Sequence, residues 1–293
     1  MSLALQLRAI ALGVWVQFQQ IGGFWAVGLI AGSLINVYLS DKIVARVSIF
    51  QRPGFHLLSA CIASALGIAS PLCMYGTVPL IASLGRKKVP DYLLVTFMIS
   101  SILLNPNLLI MSFALGSLVA FIRLGLCFVG GVVAGALTYA FLRKAAVFRL
   151  EQFTITKKQK RSFAADLLRG VQVTLPYLFV GILLTALYDL YFPRHWMDSV
   201  FGGNQAMSTL FAMSLSIPLY TCGGGSIPLL MAWMREGMSS GNAITFMLAG
   251  PATKFTNLGA VKSILGTRNF FLYMGFCLGY AWLAGMIIDA ALR

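Results

Sequence analysis

Two cysteines, Cys73 and Cys222, stand at matching points of a stretch that the chain contains twice. The first copy reads Cys73-Met74-Tyr75-Gly76-Thr77-Val78-Pro79-Leu80. The second, 149 residues on, reads Cys222-Gly223-Gly224-Gly225-Ser226-Ile227-Pro228-Leu229. An ionised thiol is a soft ligand and a strong nucleophile, so a matched pair suits capture of a soft solute. A lone cysteine in an apolar segment is usually a small apolar filler, the reading given to Cys61, Cys127 and Cys277. Covalent chemistry at Cys73 would need a base, and neither His56 nor His195, both near segment ends, is suitably placed.

Lys254 is the most unusual single residue. It lies in Gly250-Pro251-Ala252-Thr253-Lys254-Phe255-Thr256-Asn257, near the middle of an apolar segment. A lysine there costs about 2.5 kcal/mol or more unless it snorkels or faces water. It is expected to face a cavity, offering charge to an anionic group or restraining a gate. Asp91, Asp189 and Asp289 sit near segment ends, which argues against a carboxylate proton relay or a cation site. A coupling ion would then rely on backbone carbonyls, on Thr, Ser and Asn side chains, or on a side chain such as Tyr75. No metal-ligand spacing, phosphate-binding glycine loop or catalytic triad is present. No metal, cofactor or enzymatic activity is expected.

These residues need elements to hold them, and composition says which. Of 293 residues 59% are hydrophobic and only 10% charged, against about 25% charged in a soluble domain. The apolar stretches reach the roughly 20 residues that a helix needs to cross a bilayer. The expected fold class is therefore an all-α polytopic membrane protein. The net charge of +14 clusters between apolar segments, where a cytoplasmic excess of Lys and Arg explains it without nucleic acid. No N-terminal run ends in a small-residue cleavage site, so no removed signal peptide is expected.

The segments repeat. Spans are expected at 17–39, 55–84 (broken from Pro71 to Pro79), 92–115 (broken at Asn105-Pro106-Asn107) and 119–142. A basic, cytoplasmic stretch occupies 143–169. Spans then follow at 171–192, 206–234 (broken from Pro218 to Pro228), 242–265 (broken at Gly250-Pro251) and 270–290. This gives a first repeat at 1–142, a loop at 143–169 and a second repeat at 170–293, with about four membrane segments per repeat. Proline and triple glycine are weak helix formers, and broken helices survive in a membrane only inside protein or beside a wet cavity. Matching breaks in two halves point to a binding site between repeats. If the second stretch of each half is re-entrant, the repeats are inverted, and the Lys and Arg distribution tilts that way. The parallel arrangement stays open.

Ser70-Pro71-Leu72-Cys73-x-x-Gly76-x-Val78-Pro79 resembles the Ser-Pro-x-Cys-Ser-Cys-Gly-x-x-Pro signature of the ArsP-like predicted permeases. Leu248-Ala249-Gly250-Pro251-Ala252 resembles a second element of that family. The resemblance covers nearly the whole chain. It implies a bacterial inner-membrane permease and, from characterised members, efflux of trivalent organoarsenicals giving arsenical resistance. It marks Cys73, Gly76, Pro79, Gly250 and Pro251 as family-type site residues. Tyr75 replaces the family's second cysteine, and Lys254 falls where many members lack a cation.

The expected function is a secondary permease moving a small solute by alternating access. Its site would gather Cys73, Tyr75, Gly76, Thr77, Pro79, Asn105, Cys222, Gly223, Gly224, Gly225, Ser226, Pro228, Gly250, Pro251, Thr253, Lys254 and Asn257. The alternatives are a permease for a small anion using Lys254, an intramembrane thiol enzyme, and a scaffold docking through the basic loop. The expected partners are a solute and membrane lipid, with homo-oligomerisation left open.

Overall fold

The computed structural model describes residues 57–70, 89–142, 205–220 and 225–292 continuously, and scattered positions elsewhere. Every regular element among the described residues is helical. Hydrocarbon leaves backbone groups no outside partner, and a helix bonds them internally. The chain is a membrane protein. The expected spans at 17–39 and 171–192 lie almost wholly outside the described residues, as does most of the basic stretch at 143–169.

Helix α1 spans Leu57–Ala69, α2 Asp91–Leu103, α3 Pro106–Ser112 and α4 Ser117–Leu142. A short 3-10 turn, Phe113–Leu115, separates the last two. Further on, α5 spans Gln205–Leu219, α6 Ile227–Arg235, α7 Ser240–Thr253 and α8 Phe255–Ala291. Helix starts fall at the spacing of the recurring stretch: α2 and α7 begin at 91 and 240, α3 and α8 at 106 and 255. Gly116 (φ 119°) and Gly266 (φ 72°) then sit in the left-handed region that glycine enters without strain. Gly116 stands just before α4 and Gly266 at a kink inside α8, and Ser117–Leu142 and Ile264–Ala291 are both long enough to cross a bilayer. Helices α2 and α3 together make a third candidate, bent by 41° at Asn105-Pro106.

Local chemistry sets these boundaries. Asn105 caps α3 by accepting from the Leu108 amide at 2.9 Å, and Pro106 occupies the first turn, where its missing N–H costs nothing. Pro228 likewise opens α6 rather than breaking it. Ser239 caps α7 through the Asn242 amide at 3.1 Å.

One expected break moves. The helix runs straight through Gly250-Pro251 to Thr253, and the interruption comes at Lys254 (ψ 130°). Asn105 and Lys254, 149 apart, therefore stand at matching interruptions, and the break expected at Gly250-Pro251 is corrected to Lys254. A proline one turn from a helix end orphans a single carbonyl, that of Met247, and a side chain from another helix takes it up.

The core is built on α2 and α7, buried from Tyr92 to Leu103 and from Gly241 to Thr253. Helix α2 packs on α1 and α4, α7 packs on α5 and α8, and α2 meets α7 between them. Two close approaches recur. Gly135 of α4 lies against Thr96 of α2, and Gly285 of α8 against Thr245 of α7. Asp289, near the end of α8, accepts from Ser239 Oγ at 2.7 Å and from the Gly241 amide at 2.8 Å. This pins α8 to the start of α7, where a carboxylate also suits the helix dipole.

Helices α4 and α8 touch directly. Tyr280 donates to the Leu126 carbonyl at 2.6 Å and its ring covers Gly130, while Asn269 donates to the Val147 carbonyl at 2.9 Å. Later residues after α4 thus meet earlier residues of α8, so the two run in opposite senses. Their outer faces carry exposed Leu118, Phe121, Phe141, Phe271, Leu283 and Ile287, an apolar surface suited to lipid.

Candidate functional site

The first break is bounded by hydroxyls. Ser70 closes α1 and is buried, and Thr77, helical again on the far side, is fully buried. Thr77 Oγ1 and Ser101 Oγ of α2 share a hydrogen bond of 2.9 Å. Ser100 of α2 bonds back to the Thr96 carbonyl, the usual way for a hydroxyl to satisfy itself in an apolar helix. The break is thus held against α2 through a polar contact where only Ser and Thr could bury an oxygen cheaply.

The second break is walled by rings. Tyr220 leaves α5 and packs its ring directly onto Gly250 of α7, in the space where a larger residue would place its Cβ. Phe246 of α7 lies between it and Trp233 of α6, tilted to the first and edge-to-face with the second, with centroids 6.3 Å and 5.7 Å away. All three rings are buried. Gly225 and Ser226 form the turn that re-enters α6, both buried. Position 101 on α2 and position 250 on α7, 149 apart, are where the chain entering or leaving each break touches the central pair.

Against the central pair of helices lies a cation that the sequence reading passed over. Arg123, in the second turn of α4, is only 1% exposed. Its Nη1 donates to Ser112 Oγ at 2.6 Å and points to Met247 Sδ at 3.5 Å. Its Nη2 reaches the carbonyls of Leu103 at 3.4 Å and Met247 at 3.2 Å. An arginine inside a 26-residue apolar helix was the available signal, since buried intramembrane charges mark function or tight pairing. The residue at the matching place in α8 is Tyr273, whose hydroxyl donates to the Ala252 carbonyl at 3.0 Å. One helical turn along from these two lie Cys127 and Cys277, fully buried thiols beside the Arg123 guanidinium and the Tyr273 hydroxyl.

Of the sequence-derived site residues, Thr77, Asn105, Gly225, Ser226, Pro228, Gly250, Pro251, Thr253 and Lys254 are described and line the two breaks or the end of α7. Asn105 spends its side-chain oxygen on capping α3. Thr253 bonds back to the Ala249 carbonyl at 2.8 Å. Lys254 is 8% exposed and joins α7 to α8, its amide donating to Gly250 at 3.1 Å and its carbonyl accepting from Leu258 at 3.3 Å. Asn257 lies on the first turn of α8, with its side chain outside the described set. Cys73, Tyr75, Gly76, Pro79, Cys222, Gly223 and Gly224 fall outside the described residues altogether. Among the described residues no group of three His, Cys, Asp or Glu is placed to hold a metal. What the described parts offer is a set of hydroxyls, carbonyls and helix ends around two interruptions, with cations close by.

A family described as a predicted permease matches residues 19–290. A protein of Streptococcus mutans described as a putative two-component membrane permease complex subunit is 25% identical over 94% of this chain and 92% of its own length. The UPF0718 protein YcgR of Bacillus subtilis is 24% identical over 93% of each chain. The UPF0718 protein MJ0584 of Methanocaldococcus jannaschii is 23% identical over 42% of this chain, which matches only 34% of that longer protein. No solved structure matches.

Proposed function

This chain belongs to the predicted permease family, and from that premise we propose a secondary permease built of two inverted repeats that moves a small solute by alternating access. The observation that carries the reading is the recurrence, at a spacing of 149 or 150 residues, of a break, a central helix, a cap and a positive-φ glycine on a long apolar helix. Repeats with interrupted helices are the architecture of secondary transporters, and their sites lie where the interruptions meet. The opposed senses of α4 and α8 support inversion, with the broken second stretch of each half re-entrant. The solute then sits between the breaks, held by Cys73, Cys222, Thr77, Ser226 and the backbone from Gly223 to Gly225. The protein resides in a bacterial plasma membrane, with residues 143–169 on the cytoplasmic side.

A soft, thiol-seeking solute such as a trivalent methylated arsenical fits the matched cysteines. A small anion is the second reading, favoured by the burial of Lys254 at the cap between α7 and α8. The name of the Streptococcus mutans relative adds a partner subunit as a working expectation. A thermal-shift screen of purified protein against methylated arsenicals and small anions separates the solutes. Stabilisation by an arsenical that vanishes in Cys73→Ser supports the first reading. Stabilisation by an anion that vanishes in Lys254→Met supports the second. A shift unaffected by either substitution removes the site from where it is placed here.

A further inference from the structure

Two acceptors in the centre of the molecule are left without helical donors, one by a proline and one by a helix end. Pro251 has no N–H, so the Met247 carbonyl four residues earlier loses its partner inside α7. Helix α2 stops at Leu103 ahead of Asn105-Pro106, so the Leu103 carbonyl loses the donor that a continuing helix would supply. One belongs to the first half of the chain and the other to the second. Arg123 meets both with the same Nη2, while Nη1 is fixed by Ser112 at 2.6 Å. The planar guanidinium spreads its donors over two nitrogens and so spans two carbonyls and a hydroxyl at once, a reach that the compact ammonium of a lysine lacks. No carboxylate among the described residues pairs with it, so these dipoles are what keep the charge in place. In α8 the matching Tyr273 serves only its own half, through Ala252.

We propose that Arg123 is the positioning residue that ties the two halves of the chain together at their centre, by capping one orphaned carbonyl in each. Helices α2, α4 and α7 are thereby one body. On the permease reading, displacement during transport falls on the segments around that body and not across it.

The test uses the full-length protein in detergent micelles. Arg123→Lys keeps the charge and loses the fork. It raises amide exchange about tenfold in two peptides at once, 103–109 and 247–253, because one side chain guards both. Loosening confined to α4, or unchanged exchange at 247–253, overturns the tie. Arg123→Met lowers the melting temperature, and Pro251→Ala, which restores an N–H for Met247, recovers more than half of that loss in the double variant. Simple additivity of the two substitutions also overturns it. Should Arg123→Met fail to accumulate, the exchange of Arg123→Lys decides. Success in these measurements with no solute carried by the unaltered protein refutes the permease reading and leaves the tie standing.

Discussion

At the scale of single residues, the account rests on positions that admit no substitute. Tyr220 fills the space beside Gly250, so Gly250→Ala forces a ring to move within a close-packed wall. It is expected to cost about 1–3 kcal/mol, read as a lower melting temperature, while Gly125→Ala, which meets open space, changes little. Asn105→Ala removes the cap of α3 and costs about 1 kcal/mol, with Asn105→Asp retaining most of it. A melting temperature unmoved by Asn105→Ala would show that the 2.9 Å bond to Leu108 does not hold the kink. The break at Asn105-Pro106 was legible in sequence because Asn-Pro is a local signal. Arg123 was not, because its meaning lies in the Met247 carbonyl, 124 residues away. The same distance hid the true end of α7. Pro251 reads as a breaker until the donor that replaces its N–H is known.

Among the elements, the central pair is held by matched close approaches, Gly135 on Thr96 and Gly285 on Thr245, and by the Asp289 clamp. Asp289→Ala frees the Ser239 hydroxyl and the Gly241 amide at once. It should raise amide exchange in residues 239–243 and at the end of α8 together, and equal protection in both variants contradicts the clamp. Segment limits were readable from hydropathy: the observed α4, Ser117–Leu142, lies within two residues of the expected 119–142, and α2, α3 and the 3-10 turn that follows span the expected 92–115. Apolar length is a property of the local chain, and the bilayer enforces it. The wall of Tyr220, Phe246 and Trp233 was not readable, since three rings spread over 27 positions show no common pattern until α5, α6 and α7 are packed.

For the molecule as a whole, inversion is the claim with the most consequence for mechanism. Charge bias alone could only tilt the choice, because Lys and Arg between segments report sidedness and not contact. With inverted repeats, cysteines placed at Leu118, near the start of α4, and at Phe271, just past the Gly266 kink of α8, both exposed, react with an impermeant thiol reagent from opposite sides of the membrane. Labelling of both from one side contradicts inversion. The most direct measurement of the central claim is flux of a radiolabelled trivalent methylarsenical, and in parallel of small anions, into liposomes containing the purified protein. The account predicts time-dependent, saturable uptake of one class above protein-free vesicles, and its loss in folded Gly225→Leu, which fills the second break. No uptake of either class, or undiminished uptake by Gly225→Leu, would contradict it.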